Sequence, residues 1–296
     1  MKVMITGEVG MTARSLERYF GDEVVWGYER RDLSICHFDS IWEKNKELDI
    51  NSEEFQETVG FLQPDVIIHT AGAVGTDLCQ LNPKMAVKSN VDGAIKVAEA
   101  VKGIGARLVF FSTTAIYDPD DYRKGLINDL TKKGPRTIYG LTKYLGEIMT
   151  KEIVSPNKLL IIRPCFMYGG DLDNHSGLVK YVRAVKNNKK DVFLMDPENY
   201  KDYINIEDAV EIIGALTRKK VCGEYNISKG TPQKLKWYED RVTEALGKRP
   251  DIEYLPKEDY LHNHLVDGSA AIRESGYTPK VEWDALTIKR IYGVIK

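Results

Sequence analysis

Five short runs of almost unbroken apolar residues, separated by helical patterns, leave this chain little choice of architecture. They are Lys2–Thr6, Val24–Tyr28, Val66–Thr70, Leu108–Ser112 and Leu159–Arg163. A strand that is apolar on both sides must be covered on both sides, and strands that alternate with helices pair in parallel through crossover connections. Ser52–Leu62 and Lys84–Val101 carry apolar residues at helical spacing, and Asn82-Pro83 marks a helix start. The expected fold class is therefore α/β, with a doubly wound parallel sheet.

After Pro164 the strict alternation loosens into helices, short strands and glycine- or asparagine-containing loops. We expect a dinucleotide-binding Rossmann domain over residues 1–165 and a smaller mixed α/β substrate-binding lobe over 166–296, with strand and helix exchange between them. No Ser/Gly/Pro-rich or strongly charged stretch separates the halves, so close packing with a cleft is expected.

Composition excludes several classes of function. A net charge of -2 removes the general attraction to phosphate backbones on which nucleic-acid binders rely, so no nucleic-acid partner is expected. No apolar run approaches the roughly 20 residues of a membrane-spanning helix, so no membrane partner is expected either. Met1–Gly7 runs straight into a strand pattern without the regions of a secretory signal, which points to a mature, cytoplasmic chain. Cys36, Cys79, Cys165 and Cys222 are widely spaced with no Cys-x-x-Cys pair, so reduced thiols are expected and no metal site.

The first apolar run leads into Thr6-Gly7-Glu8-Val9-Gly10-Met11-Thr12-Ala13 and then an amphipathic stretch from Arg14 to Phe20. Gly7 and Gly10 let the main chain turn sharply towards a pyrophosphate, whose charge the amides of Met11 and Thr12 at a helix N-terminus can meet. A tight βα turn that binds nothing uses the same residues. The second run ends near Tyr28-Glu29-Arg30-Arg31, where such folds meet the adenosine ribose. A guanidinium there can pair with the 2′-phosphate of NADP, and the acidic residue suits NAD. Arg30 and Arg31 favour NADP, with NAD possible; either arginine can equally be a solvated surface charge.

Tyr139-Gly140-Leu141-Thr142-Lys143 opens a helical run that continues to Lys151. At i and i+4 the phenol and the ammonium share one face. A neighbouring cation favours the phenolate, so Lys143 is expected to lower the Tyr139 pKa towards the range of a general acid/base, and it can also hydrogen-bond a cofactor ribose. Upstream, the buried run Val109-Phe110-Phe111 ends in Ser112-Thr113-Thr114. Hydroxyls at a strand's C-terminal end stand where open α/β sheets place ligands, and Thr113 could orient a carbonyl while Tyr139 transfers the proton. Capping of the following turn is the plainer alternative.

Taken in chain order, these pieces resemble the extended short-chain dehydrogenase/reductase family. Leu48-Asp49-Ile50 is similar to its adenine-side pair, His69-Thr70-Ala71-Gly72 to its cofactor-lining turn, and Asn90 stands in the next helix. Arg163-Pro164-Cys165-Phe166-Met167-Tyr168-Gly169 and Lys201-Asp202-Tyr203-Ile204-Asn205-Ile206-Glu207-Asp208 resemble two further family segments, as does the Gly276-Tyr277 and Pro279 tail. The resemblance implies an NAD(P)-dependent oxidoreductase with Thr113, Tyr139 and Lys143 as catalytic residues. It implies cofactor contacts from Gly7, Gly10, Met11, Thr12, Arg30, Arg31, Asp49, Ile50, Ala71, Gly72, Asn90 and Phe166 besides Tyr139 and Lys143. It implies substrate contacts from Thr114, Lys201 and Asn205. Lys201 stands where the family has an arginine for the nucleotide diphosphate, and it offers a point charge in place of a bidentate fork.

Within the family, the motifs and length most resemble the dTDP-4-dehydrorhamnose reductases, which implies reduction of a 4-keto sugar on a nucleotide. A 4-epimerase with bound NAD would use the same three residues. A non-catalytic cofactor-binding regulatory subunit is the alternative of another class. Thr114-Ala115 supplies no Asp-Glu pair of the kind a 4,6-dehydratase uses, and Ala115 stands where a bifunctional epimerase-reductase wants cysteine; His175 reads as a polar loop residue. A homodimer through the helices of Tyr139 and of Lys84–Val101 is a further expectation from the family.

Overall fold

The computed structural model describes residues 1–7, 10–26, 49–169, 177–187, 190–193, 195–255 and 263–292. They form two compact units: residues 1–116, 137–163 and 216–224 in one, and residues 117–136, 164–215 and 225–296 in the other.

The first unit is built on β1 (Val3–Thr6), β2 (Val24–Trp26), β3 (Val66–His69), β4 (Arg107–Phe111) and β5 (Leu159–Pro164). Every residue of β1, β3 and β5 is buried, as is all of β4 after Arg107, the double-sided coverage that their unbroken apolar runs require. With the strand Gly223–Ile227 at the edge, the sheet order is Gly223–Ile227, β5, β4, β3, β1, β2. Pairing of β1 with β2 and β3, of β3 with β4, and of β4 with β5 is parallel.

The chain leaves β1 for β2 on one side and returns to β3 on the other. The carboxyl ends of β1 and β3 thus flank the point where strand order reverses, the crevice in which open α/β sheets take ligands. Register sets Thr6 beside His69 and His69 beside Phe110 there.

Helices α1 (Met11–Phe20), α2 (Glu53–Leu62), α3 (Thr76–Leu81), α4 (Pro83–Val87) and α5 (Gly93–Ile104) follow in chain order, and the helix Ile138–Ile153 completes the unit. Ser52 caps α2 by accepting from the Phe55 amide at 3.3 Å. One core joins Met4, Ile67, Leu108 and Phe110 of the sheet to Phe55 and Val59 of α2 and Val97 and Val101 of α5. Each such side chain contributes roughly 1.5–3 kcal/mol on burial. The single helix expected over Lys84–Val101 is interrupted: Lys88–Asp92 is a π turn between α4 and α5. Extra-wide turns of this kind re-aim a side chain, and here the turn carries Asn90.

The second unit pairs Phe166–Tyr168 with Tyr203–Asn205 and Asp191–Phe193 with Ile252–Tyr254, both in parallel, and Tyr200–Lys201 with Gln233–Lys234 antiparallel. Its core is aromatic, with Tyr181, Phe193, Tyr238 and Trp283 around Leu178, Val182, Val242 and Ile288. Buried Asp208 fastens the C-terminal segment by accepting from Tyr277 Oη at 2.8 Å and from the amides of Lys280 and Val281 at 3.0 and 2.9 Å. No helix among the described residues is long and apolar enough to cross a membrane.

Candidate active site

The site is assembled at the carboxyl ends of β1, β3 and β4. Gly7, directly after β1, has φ +130, a conformation side chains rarely adopt. A β-carbon there would also lie 2.8 Å from the Ala71 amide nitrogen, so glycine lets the two turns meet. Thr70 Oγ1 reinforces that junction by donating to the Thr6 carbonyl at 2.8 Å. Gly10 is the N-cap of α1 with no side-chain cap, and the first turn of α1 holds no acidic residue, an end that suits an anion. Met11 and Thr12 open that turn, both partly exposed.

On the other side of the crevice stand Ala71 and Gly72, both partly exposed. A β-carbon on Gly72 would meet Asn90 Oδ1 at 2.6 Å and Lys143 Nζ at 3.7 Å, so those two polar groups converge on the main chain of Gly72. Asn90 is held by its amide nitrogen, which donates to Ala73 O at 3.1 Å and to Thr142 Oγ1 at 3.0 Å. Its Oδ1 is buried and accepts no hydrogen bond among the described residues. A buried acceptor left open beside a backbone cradle fits a polar ligand group.

Thr137 begins the helix Ile138–Ile153 by accepting from the Gly140 amide at 3.1 Å. That cap sets the face on which Tyr139 and Lys143 fall. Tyr139 packs against a small cluster of Ala73, Cys79 and Ala86. Thr113 Oγ1 accepts from the Ala115 amide at 3.2 Å, and its hydroxyl acts on the Tyr139 phenol in favour of the phenolate. Lys143 is buried, with its amine 4.8 Å from the centre of the Phe110 ring.

The electrostatics correct one expectation. Burial pushes the Tyr139 phenol up to about 12, and the Thr113 hydroxyl pulls only partly the other way. The reason is the apolar cluster around the ring, which outweighs any help to the phenolate. Burial likewise pushes Lys143 down to about 8, opposed by the charge of Glu147. His69 is driven down to about 3 by burial and by Lys143, and it shares a 2.7 Å hydrogen bond with Thr6 Oγ1. At neutral pH the site therefore holds a protonated phenol and a neutral imidazole.

The remaining expected positions fall as follows. Asp49 is exposed in a turn, where its carboxylate accepts from the Asn51 amide at 2.9 Å and lies 3.9 Å from Lys88. Ile50 packs on the core of the first unit. Thr114 is buried in a short 3-10 turn, Thr114–Ile116. In the second unit Phe166 lies 4.6 Å from the His264 ring and 5.9 Å from the Lys201 amine, which burial pushes down to about 8. Asn205 is buried and its Oδ1 accepts from the Glu207 amide at 2.8 Å, capping the helix that follows. Arg30, Arg31 and His175 lie outside the described residues.

The residue pattern did not single out Thr142 and Cys79, which shape the site through Asn90 and the Tyr139 ring; their signal is the spacing of Thr142 next to Lys143 and nothing comparable for Cys79. Nor did it single out Glu147. Its carboxylate is fully buried and takes Arg163 Nε at 2.9 Å and Nη2 at 2.8 Å, while Nη2 also reaches Glu224. Lys151 closes the chain of charges on Glu224 at 2.9 Å.

Comparison with known proteins gives a consistent answer. A family model described as the NAD dependent epimerase/dehydratase family matches residues 3–228. The dTDP-4-dehydrorhamnose reductase of Escherichia coli is 30% identical over 124 residues, a stretch that takes in 42% of this chain and 40% of that enzyme. Among solved structures, a dTDP-4-dehydrorhamnose reductase from Bacillus anthracis in complex with NADP has a TM-score of 0.77 at 20% identity, covering 98% of this chain and 99% of that one. The MoeE5 protein in complex with UDP-glucose and NAD has a TM-score of 0.82 at 18% identity, covering 98% and 97%.

Proposed function

Because this chain belongs to the NAD dependent epimerase/dehydratase family, we propose that it is an NAD(P)-dependent oxidoreductase that reduces a 4-keto sugar carried on a nucleotide. The observation that carries the reading is the convergence of Asn90 Oδ1 and Lys143 Nζ on the main chain of Gly72, beside the turn where Gly7 meets Ala71. Gly7, Gly10 and the α1 amides would hold the pyrophosphate, and Gly72, Asn90 and Lys143 the nicotinamide-side ribose. The bound cofactor supplies the hydride. Thr113 orients the keto oxygen, and Tyr139, kept protonated by its burial, gives that oxygen its proton. Lys201 is assigned to the diphosphate, since an anion would offset the burial that drives its amine towards neutrality. Thr114, Asn205 and Phe166 remain assigned to the substrate and cofactor faces.

NADP is the favoured cofactor, and the related structures hold NADP in one case and NAD in another. Loss of NADPH affinity alone in Arg30→Ala and Arg31→Ala supports that preference; equal effects on NADH and NADPH overturn it. The central test is oxidation of NADPH by purified protein with 4-keto nucleotide sugars, wild type against Tyr139→Phe. Tightly bound NAD, with sugars interconverted and no added cofactor consumed, replaces the reductase reading by a 4-epimerase. NADPH binding without any turnover replaces it by a regulatory subunit.

A homodimer is also proposed. Leu141, Leu145 and Ile148 are 46%, 43% and 37% exposed and fall on one stripe of the helix Ile138–Ile153. Light scattering at the mass of a monomer would remove this part of the reading.

A further inference from the structure

We propose that Glu147 is a positioning residue that acts through Lys143: a buried carboxylate one helical turn along, pinned by Arg163, that fixes the charge and place of the amine. The inference rests on the reading of Tyr139 and Lys143 as the reacting pair, and adds to it the group that sets the charge of the lysine.

Three observations lead there. The first is placement: Lys143 and Glu147 are both buried on the face of the helix Ile138–Ile153 that meets the core, at i and i+4. The second is rigidity. Arg163, itself 0% exposed, grips both Glu147 oxygens, so the carboxylate cannot swing away or collect water.

The third is the surroundings of the amine. The groups that act on the amine are Glu147 on its own helix and Cys79 on α3, while the amine in turn acts on His69 of β3 and Tyr139 stands one turn before it. Tyr139 is held protonated, the Cys79 thiol is raised by burial, and His69 is neutral at pH 7. Among the groups that bear on Lys143, Glu147 is the carboxylate that favours the ammonium, and it does so as one half of an ion pair with Arg163, whose positive charge offsets part of its field. The face of the Phe110 ring adds a weaker attraction.

Glu224 gives the arrangement its reach. It engages the same Arg163 and is tied outward to Lys151, so Arg163 does not depend on Glu147 alone for neutralisation. Glu147→Gln therefore leaves Arg163 with a carboxylate partner and an amide of unchanged shape, the conditions under which a buried charge is survivable.

The test is an NMR titration of ε-13C-lysine-labelled protein, with the Lys143 resonance assigned by its loss in Lys143→Arg. In Glu147→Gln the Lys143 midpoint is expected to fall by roughly one pH unit, and Glu147→Asp, which keeps the charge, restores most of it. Glu224→Gln, on the far side of Arg163, is expected to lower thermal stability and leave the midpoint in place. An unmoved midpoint in folded Glu147→Gln, or an equal fall in Glu224→Gln, overturns the proposal and makes the network structural only. If Glu147→Gln does not fold, the comparison of Glu147→Asp with wild type decides: the midpoint stays within about a third of a unit if charge is what matters, and falls as far as roughly one unit if it is the Arg163 geometry, which overturns the proposal. Failure of the reductase reading shows separately, as absence of turnover by wild type while the titration behaves as stated.

Discussion

The side-chain oxygen of Asn90 lies 2.6 Å from the point where a β-carbon on Gly72 would sit. Gly72→Ala must therefore push Asn90 out of its bonds to Ala73 O and Thr142 Oγ1. Overpacking of this sort costs about 1–3 kcal/mol. Urea denaturation should show that loss, and fluorescence titration with NADPH a weakened affinity; wild-type values for both would mean that the π turn yields freely.

Acid should destabilise the protein through His69. Its folded value of about 3 lies below the unfolded one of about 6.5, so the unfolded chain binds the extra proton first. The stability from the neutral imidazole is complete above pH 6.5 and drains away as the pH falls towards 3. The upper bound is about 4–5 kcal/mol. Unfolding midpoints of wild type and His69→Gln between pH 7 and 4 should diverge in slope, with the variant the less acid-sensitive; parallel slopes would refute this.

On the proposed reading Tyr139→Phe removes the proton donor and little else, since the ring still packs on Ala73, Cys79 and Ala86. Turnover should drop by about 10²–10⁴ with the thermal midpoint nearly unchanged. Thr113→Ala should lose less, because it orients the oxygen without supplying the proton. Steady-state rates of the two variants on one substrate give the order directly.

Two substitutions at the C-terminal clamp should separate cleanly. Asp208→Ala abandons the amides of Lys280 and Val281 as well as the Tyr277 hydroxyl, and should cost about 2–4 kcal/mol. Tyr277→Phe gives up one bond and should cost about 1 kcal/mol. Equal losses in chemical denaturation would show that the carboxylate does not bear the segment.

The sheet could be read from the residues because its demand is local: Val66-Ile67-Ile68 and Leu159-Leu160-Ile161 must be apolar on both faces wherever they sit, and their strands begin where expected. The Tyr139 helix was equally legible from its spacing, though its Thr137 cap was not read. What could not be read depends on partners far along the chain. Asn90 is aimed by residues 17 positions before it and 52 after, so the π turn leaves no periodic trace. The upward shift of Tyr139 comes from Cys79 and its neighbours enclosing the ring. Arg163 belongs to a visible Arg-Pro pair, yet its carboxylates stand 16 and 61 positions away.

The unit that carries Gly7, Asn90 and Tyr139 takes its last piece from residues 216–224. During synthesis the ribosome must therefore release more than two hundred residues before that unit is whole, well after the helix Ile138–Ile153 has emerged. Until then Arg163 has Glu147 but not Glu224, and Lys151 has no carboxylate to close on, so a linear truncation after β5 would leave this network one charge short for good.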